Sequence, residues 1–380
     1  MEKPQKHLII VAGEASGDDR AAELVAQIRK RDPSFTFSGL GGTQMAENGV
    51  EIDFDLTRMA VVGFGEVLKH LSAIKKVFRL VLQKIDKKKP LAVILVDYPG
   101  FNLRLAQELK KRNVKVIYYI SPQVWAWNAR RIETIKRIVD RMIVFFRFEE
   151  ALYARHGYTV DWVGHPLIDR VKVDRPREAF LNDAGLSASL RTIGLLPGSR
   201  EKEIQKIFPV MLKTAAYLYQ KNPQLQFLAF QAPTISAQSF ESHVKNLSIP
   251  LKIVSGQTYN GVNACDFCLV ASGTATLETA ILQKPMIVVY KTSFLTWALA
   301  KILIKIPDIG LVNVVAEKRI VPECVQFNAT PQAIALKAIS LLSHEEKLNE
   351  IRQALAEVKD KLGAPGASGR AAEKILALIA

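Results

Sequence analysis

The sequence predicts an α/β protein made of two doubly wound, Rossmann-like domains facing a central cleft. Three observations lead there. Short unbroken apolar runs such as Leu91–Val96 and Phe267–Ala271 mark strands buried on both faces of a parallel sheet. Helical periodicity follows most of these runs, and strand–helix alternation of this kind builds parallel sheets. The alternation pauses at Gly164-His165-Pro166 and the polar stretch Asp169–Arg177, then restarts. The expected domains are therefore 1–166 and 167–345, with a helical tail over 346–380 that crosses back to the first domain or to a partner.

Taken in order, Leu8–Ala12 is a strand ending at Gly13, and Asp18–Arg31 a helix with Ala21, Leu24, Val25 and Ile28 on one face. Leu91–Val96, Val114–Ile120, Arg141–Phe145 and Thr159–Val163 are the further strands of the first domain. In the second domain Thr192–Leu196 meets the turn Pro197-Gly198-Ser199-Arg200, and Glu201–Gln220 is helical. Gln226–Phe230, Lys252–Val254, Phe267–Ala271 and Met286–Tyr290 are strands, and Pro331–Ala380 is helical around a Gly363–Gly369 loop. In such folds ligands bind beyond the carboxyl ends of the strands, which directs attention to the loops there.

Composition narrows the function. The 380 residues are 49% hydrophobic and 23% charged, enough apolar material for sizeable cores and against general disorder. Three cysteines exclude a disulfide scaffold and fit a reducing compartment. No apolar run reaches the length of a membrane span, and the first residues lack the pattern of a signal peptide. A net charge of +15 calls for an anionic partner: a phosphorylated substrate, an anionic membrane or a nucleic acid. No RRM, KH, zinc-finger or helix-turn-helix signature supports the last, so no nucleic acid is expected.

Familiar motifs are absent or incomplete. GxxxxGK[ST] does not occur, and the nearest approach to GxGxxG, from Gly39, carries Gln44 at the sixth position. Cys265-Asp266-Phe267-Cys268 lacks further zinc ligands and reads as buried thiols. Asp53-Phe54-Asp55 has the form of a metal-binding DxD, but alternating acids on a surface segment explain it more simply. No metal site and no cofactor are expected.

Four strand-end loops have the composition of ligand sites. Glu14, Ser16, Gly17 and Asp18 follow the first strand, where a helix N-terminus offers free N–H groups; Ser16 or Asp18 also suits a helix cap. Asp97, after the most apolar strand and before Pro99-Gly100, is placed to accept a proton or to cap the next helix. Gly198, Ser199 and Arg200 open a helix where a cation opposes the dipole, an unfavourable placement that points to an anionic ligand such as a diphosphate. Gly273 and Thr274 suit close approach to a phosphate, and Glu278, one turn on, suits ribose hydroxyls; Ser272 is also a natural N-cap.

AGEASGD at 12–18, DYPGFN at 97–102, SPQVWAWN at 121–128, VGHP at 163–166, LPGSR at 196–200 and SGTATLE at 272–278 together resemble the lipid-A-disaccharide synthase family, in family order over nearly the whole chain. The resemblance implies an inverting, metal-independent glycosyltransferase of the GT-B fold. It implies a UDP-2,3-diacylglucosamine donor, a 2,3-diacylglucosamine 1-phosphate acceptor, and a β-1,6-linked disaccharide 1-phosphate and UDP as products. Carried over by residue, it implies Asp97 as general base and Arg200 on the donor diphosphate. Gly198, Ser199, Gly273, Thr274, Glu278 and Asn313 would serve the UDP side, and Glu14, Ser16, Gly17 and Asp18 the acceptor side. Asn313 follows Leu311-Val312 where the family has Leu-Pro. A homodimer at the inner face of the cytoplasmic membrane is also implied.

Acylated substrates require contact with lipid. Val67, Leu71, Ile74, Phe78, Val81 and Ile85 form an apolar helical seam, and 69–89 holds eight Lys or Arg against one acid, Asp86. Val67, Leu71, Ile74 and Phe78, with Trp125 and Trp127, are the expected membrane-facing residues; a core-packed helix with a basic outer face is the competing arrangement. The rival functions are a UDP-N-acetylglucosamine 2-epimerase-like enzyme on the same fold, a nucleic-acid-binding protein and a non-catalytic lipid carrier.

Overall fold

A computed structural model describes residues 6–57, 67–127, 131–245, 247–294, 297 and 307–379, with the side chains of 67–71 and 127 outside that description. The chain divides into two compact units, one of 1–166 with 364–380 and the other of 167–363.

In the first unit the order is β1 (His7–Ala12), α1 (Ala15–Arg31), β2 (Thr36–Gly41), α2 (Thr43–Glu47), β3 (Glu51–Asp55), α3 (Val67–Lys88), β4 (Ala92–Val96) and α4 (Pro99–Lys111). Then come β5 (Val116–Tyr119), α5 (Val124–Trp127), α6 (Arg131–Ile138), β6 (Arg141–Val144), α7 (Arg147–Ala154) and β7 (Asp161–Trp162). The strands form one sheet in the order β3-β2-β1-β4-β5-β6-β7, with every pairing parallel. Strand alternation explains the unbroken apolar runs: Ile9 and Val11 enter the core on one face, Leu8, Ile10 and Ala12 that on the other, all fully buried.

The second unit runs α8 (Leu167–Arg170), α9 (Arg177–Asp183), β8 (Arg191–Leu196), α10 (Glu201–Lys221), β9 (Leu225–Gln231), α11 (Ala237–Val244), β10 (Leu251–Ser255) and α12 (Thr258–Ala264). It continues with β11 (Phe267–Ala271), α13 (Thr274–Ile281), β12 (Met286–Tyr290), α14 (Leu311–Ala316), β13 (Glu323–Val325), α15 (Pro331–Leu342) and α16 (Glu345–Lys361). Its sheet is again all parallel, in the order β10-β9-β8-β11-β12-β13.

The tail divides later than the sequence suggests. Helix α16 stays with the second unit, and only α17 (Ala367–Ile379) returns to the first. There Ala371, Ala372 and Ile375 are fully buried in the core beside α1, and Arg31 pairs with Glu373 at 2.8 Å. Arg370 ties together the stretches where the chain leaves and re-enters this unit: its guanidinium donates to the carbonyls of Val163 (2.8 Å), Ala364 (2.6 Å) and Pro365 (2.6 Å).

Strands β2, β3 and β13 escape the sequence reading. β2 carries two glycines in place of an apolar run, and β3 is a half-exposed edge whose acids alternate. Asp53 of β3 is ion-paired with Lys84 of α3, and the Asp55 carboxylate accepts from Thr57 Oγ1 at 2.6 Å, so both acids have protein partners.

Among the expected membrane-facing residues, Ile74 and Phe78 are half-buried. Both pack against the core of the first sheet, Phe78 edge-on to Phe101 with centroids 5.4 Å apart. The same seam buries Val77, Val81 and Ile85, because an apolar stripe of this spacing covers the sheet below it. Lys75, Lys76, Arg79, Lys87, Lys88 and Lys89 remain exposed on the other side. Trp125 is half-buried and edge-on to Phe148. The side chains of Val67, Leu71 and Trp127 lie outside the described residues.

Candidate active site

Both sheets reverse their winding direction at one point, between β1 and β4 in the first and between β8 and β11 in the second. Adjacent loops diverge there and leave a crevice at the carboxyl ends of the strands. The register pairs Ala12 with Val96 and Leu196 with Val270. Loop 13–14 therefore emerges beside Asp97, and loop 197–200 beside Ser272-Gly273. Sequence-distant motifs meet in pairs.

In the first unit, Asp97 and Tyr98 both adopt left-handed backbone, at φ of 46° and 44°. That conformation costs about 1–2 kcal/mol for a residue with a Cβ and is found where the surroundings enforce it. Here the buried Asn102 enforces it: its Nδ2 donates to the carbonyls of Asp97 (2.8 Å) and Val96 (3.2 Å). Tyr118 Oη also donates to the Asp97 carbonyl, at 2.6 Å. With its backbone held, Asp97 presents a carboxyl whose pKa is raised to about 6, by burial first and by the charge of Glu14 second. Such a group gains and loses a proton near neutrality, as a general base must.

The acceptor-side candidates separate. Helix α1 begins at Ala15, three residues earlier than the periodicity predicts, with Glu14 in the N-cap position and no side-chain cap. Ser16 is exposed and Glu14 half-exposed at this end, while Gly17 is buried against Val96. Asp18 is corrected. It is buried, and its carboxylate accepts from the N–H groups of Gly42 (2.7 Å), Gln44 (2.9 Å) and Met45 (3.3 Å). It caps α2 in place of α1, which leaves its oxygens engaged within the protein.

In the second unit, Gly198 has a φ of +114°, and Arg200 takes the N-cap position of α10 with 74% of its side chain exposed. Beside them Gly273, at φ +141°, is the N-cap of α13, and a Cβ there would have no neighbour within 4 Å. Two helix N-termini thus bring free N–H groups, one with an exposed guanidinium, to adjacent strand ends, an arrangement suited to phosphates. Thr274 is exposed at the start of α13, and Glu278 accepts from Tyr259 Oη at 3.0 Å. Ser272 does not cap; its hydroxyl donates to the Ile309 carbonyl at 2.8 Å.

Asn313 turns inward in the same way as Asp18. It is buried, donates to the Val321 carbonyl (3.0 Å) and Glu323 Oε1 (2.8 Å), and accepts from the N–H groups of Ile320 (2.9 Å) and Val321 (3.1 Å). Its amide is saturated by its own loop. The neighbouring Val312, where the resemblance implies a proline, uses the N–H a proline lacks, donating to Thr276 Oγ1 at 3.3 Å. Among the described residues no group of three or more His, Cys, Asp or Glu side chains is arranged to hold a metal ion.

Sequence reading overlooked Tyr98, Asn102, Glu203 and Tyr259, which act on the backbone or side chains of the candidates. Asn102 lies inside a quoted motif, and Glu203 stands three residues after Arg200, a spacing typical of a capping residue.

Two all-parallel doubly wound sheets, each with a ligand-suited switch point, define a GT-B-type protein. Solved structures share this fold: a glycotransferase of kitacinnamycin at TM-score 0.65 and 11% identity, covering 99% of both chains, and a Neisseria meningitidis UDP-GlcNAc 2-epimerase, solved bound to UDP-GlcNAc, at TM-score 0.64 and 13% identity, covering 98% of this chain and 100% of that one. The family model described as lipid-A-disaccharide synthetase matches residues 8–377. The lipid-A-disaccharide synthase of Syntrophus aciditrophicus is 44% identical over 98% of both chains, and that of Nitrosococcus oceani 41% identical over 100% of this chain and 98% of its own. The chain belongs to the lipid-A-disaccharide synthase family, and with it to the glycosyltransferases.

Proposed function

We propose that this protein transfers 2,3-diacylglucosamine from its UDP donor to 2,3-diacylglucosamine 1-phosphate, with inversion and without a metal ion. The observation that carries the reading is Asp97, held in left-handed backbone at a switch point with a carboxyl titrating near 6. In one in-line step the acceptor 6-hydroxyl oxygen bonds to the donor's anomeric carbon, and its proton passes to the Asp97 carboxylate. The bond from that carbon to the diphosphate oxygen breaks, and its electron pair leaves with UDP. Arg200 and the N–H groups opening α10 and α13 offset the charge that develops there. Glu14, Ser16 and Gly17, at the start of α1, attend the acceptor. The products are the β-1,6 disaccharide 1-phosphate and UDP.

Among the described residues no helix is long and apolar enough to cross a membrane. We assign association with the inner face of the cytoplasmic membrane to the exposed basic side of α3, through anionic headgroups. The homodimer implied by the resemblance belongs to the same reading. The test is UDP release with both acylated sugars present, with and without EDTA. Equal rates in the two conditions support it, and loss of activity in EDTA overturns metal independence. Turnover of UDP-sugar in the absence of acceptor favours an epimerase-like enzyme instead. Near-normal turnover in Asp97→Asn removes the base assignment. Flotation of the protein with anionic vesicles no greater than with neutral ones removes the membrane assignment.

A further inference from the structure

The loop assigned to the donor diphosphate already holds an anion of the protein's own. Glu203, in the first turn of α10, folds back over residues 198–200. Its Oε2 accepts from the Ser199 N–H at 3.2 Å, and its Oε1 lies 3.5 Å from Arg200 Nη1. Gly198 makes room for it, since a Cβ on Gly198 would overlap Oε2 and would lie 3.3 Å from the carboxyl carbon. The other acid of that turn is directed elsewhere, with Glu201 Oε2 accepting from Ser239 Oγ at 2.9 Å. One carboxylate is therefore seated on the two groups, an N–H and a guanidinium, that the sequence marks for phosphate.

We propose that Glu203 is an affinity-setting residue of the donor site, an internal stand-in for a phosphoryl group that the nucleoside diphosphate must displace. This inference rests on the reading of loop 197–200 as the donor's diphosphate site. A carboxylate and a diphosphate cannot share Ser199 N–H and Arg200 without like-charge repulsion, so Glu203 has to swing out when the donor binds. The consequence is weaker UDP binding than the cradle alone would give. Unliganded, the carboxylate keeps Arg200 and the turn in place, so the loop does not need to be ordered anew at each turnover. After transfer, the return of Glu203 to Ser199 N–H favours departure of UDP. Two charges near contact at a protein surface interact by enough to change affinity on the order of tenfold.

Isothermal titration with UDP and uridine tests this on the full chain. Glu203→Gln keeps an oxygen acceptor for Ser199 N–H and removes the charge. The expected result is about tenfold tighter UDP binding with uridine affinity unchanged, since uridine carries no phosphate. A purely structural role predicts the opposite sign, because loosening the loop weakens UDP. Glu203→Asp, one methylene shorter, vacates the cradle while keeping the charge, and is expected to bind UDP more tightly than wild type but less tightly than Glu203→Gln. It serves as the test should thermal melting reveal that Glu203→Gln does not fold. UDP bound equally or more weakly by these variants overturns the inference. If wild type binds UDP and Arg200→Ala binds it much more weakly, such a result counts against Glu203 alone; if Arg200→Ala binds UDP as wild type does, the donor reading of the loop fails with it.

Discussion

The ring of Tyr98 fills the space where Gly13 would carry a side chain: a Cβ built there would lie 2.8 Å from Tyr98 Cε1 and closer still to Cγ and Cδ1. Gly13 is absent from the left-handed residues, so its requirement is steric and comes from across the sheet, where β1 and β4 end side by side. Gly13→Ala is expected to destabilise the fold by about 1–3 kcal/mol, the usual cost of overpacking. Trimming the ring in Gly13→Ala/Tyr98→Ala should recover part of that loss, and a double-mutant cycle of denaturant melts measures the coupling. Additive effects would mean that the contact carries no energy.

In the base role proposed above, Asp97 sets the acid limb of activity. The folded protein raises its pKa to about 6, so kcat/KM should fall below pH 6 as the base becomes protonated. Glu14 supplies part of that shift, and Glu14→Gln should move the limb to lower pH whatever it does to the maximum rate. For stability the sign is reversed. The folded state holds this proton more tightly than the unfolded chain, so Asp97 contributes stability at low pH that is lost as pH rises through about 6. A pH–rate profile whose acid limb is the same in Glu14→Gln and wild type would contradict the charge coupling.

Glu149 is buried on α7, and burial pushes its pKa to about 8 despite hydrogen bonds from the Phe146 and Phe145 backbone, Ser121 and Trp125. It is protonated at neutral pH. Its contribution to stability is therefore fully present only below about 4.5, and is lost progressively as pH rises from there through about 8. Glu149→Gln keeps a neutral, hydrogen-bonding group there. Between about pH 5 and pH 8 the wild-type Tm should drop relative to that of the variant, and parallel melting curves across that interval would exclude a titrating Glu149.

Asn313 distinguishes a structural from a ligand-contacting amide. Four hydrogen bonds tie it to residues 320–323, so Asn313→Ala should cost about 1–3 kcal/mol or more through the unpaired groups it leaves. A change in UDP affinity at unchanged Tm would instead mean that the amide reaches the nucleotide.

The legible part of the fold follows from local physics. A parallel strand buried on both faces must be apolar at every position, which is why β4, β8, β11 and β12 stand out in the sequence within a residue or so of their ends. β3 does not, because an edge strand exposes alternate residues and resembles a polar loop. The seam on α3 was equally visible, but an apolar stripe has the same spacing whether it meets a sheet or a bilayer. Burial of Val77, Val81 and Ile85 assigns the described part of that stripe to the sheet. At the site, the loops that carry Asp97 and Arg200 were readable because each follows a strand end beside glycine or proline, an arrangement chain-local rules explain. Asp18 and Asn313 were not, because an Asp before a helix or an Asn in a loop looks the same whether its oxygens meet solvent, ligand or a distant backbone.

Strand positions, the break near residue 166 and the special loops are properties of neighbouring residues, and the order of amino acids is enough to set them. Which loops become neighbours is different. Leu8 pairs with Ala92 and Phe267 with Ile193, and the helix at 367–379 closes a core begun by residue 8. Those contacts form only when the chain folds, since their stabilisation comes from burying surfaces that lie far apart along it. The raised pKa of Asp97, the capture of Asp18 by α2 and the seating of Glu203 on Ser199 depend on the folded arrangement, and no local pattern encodes them.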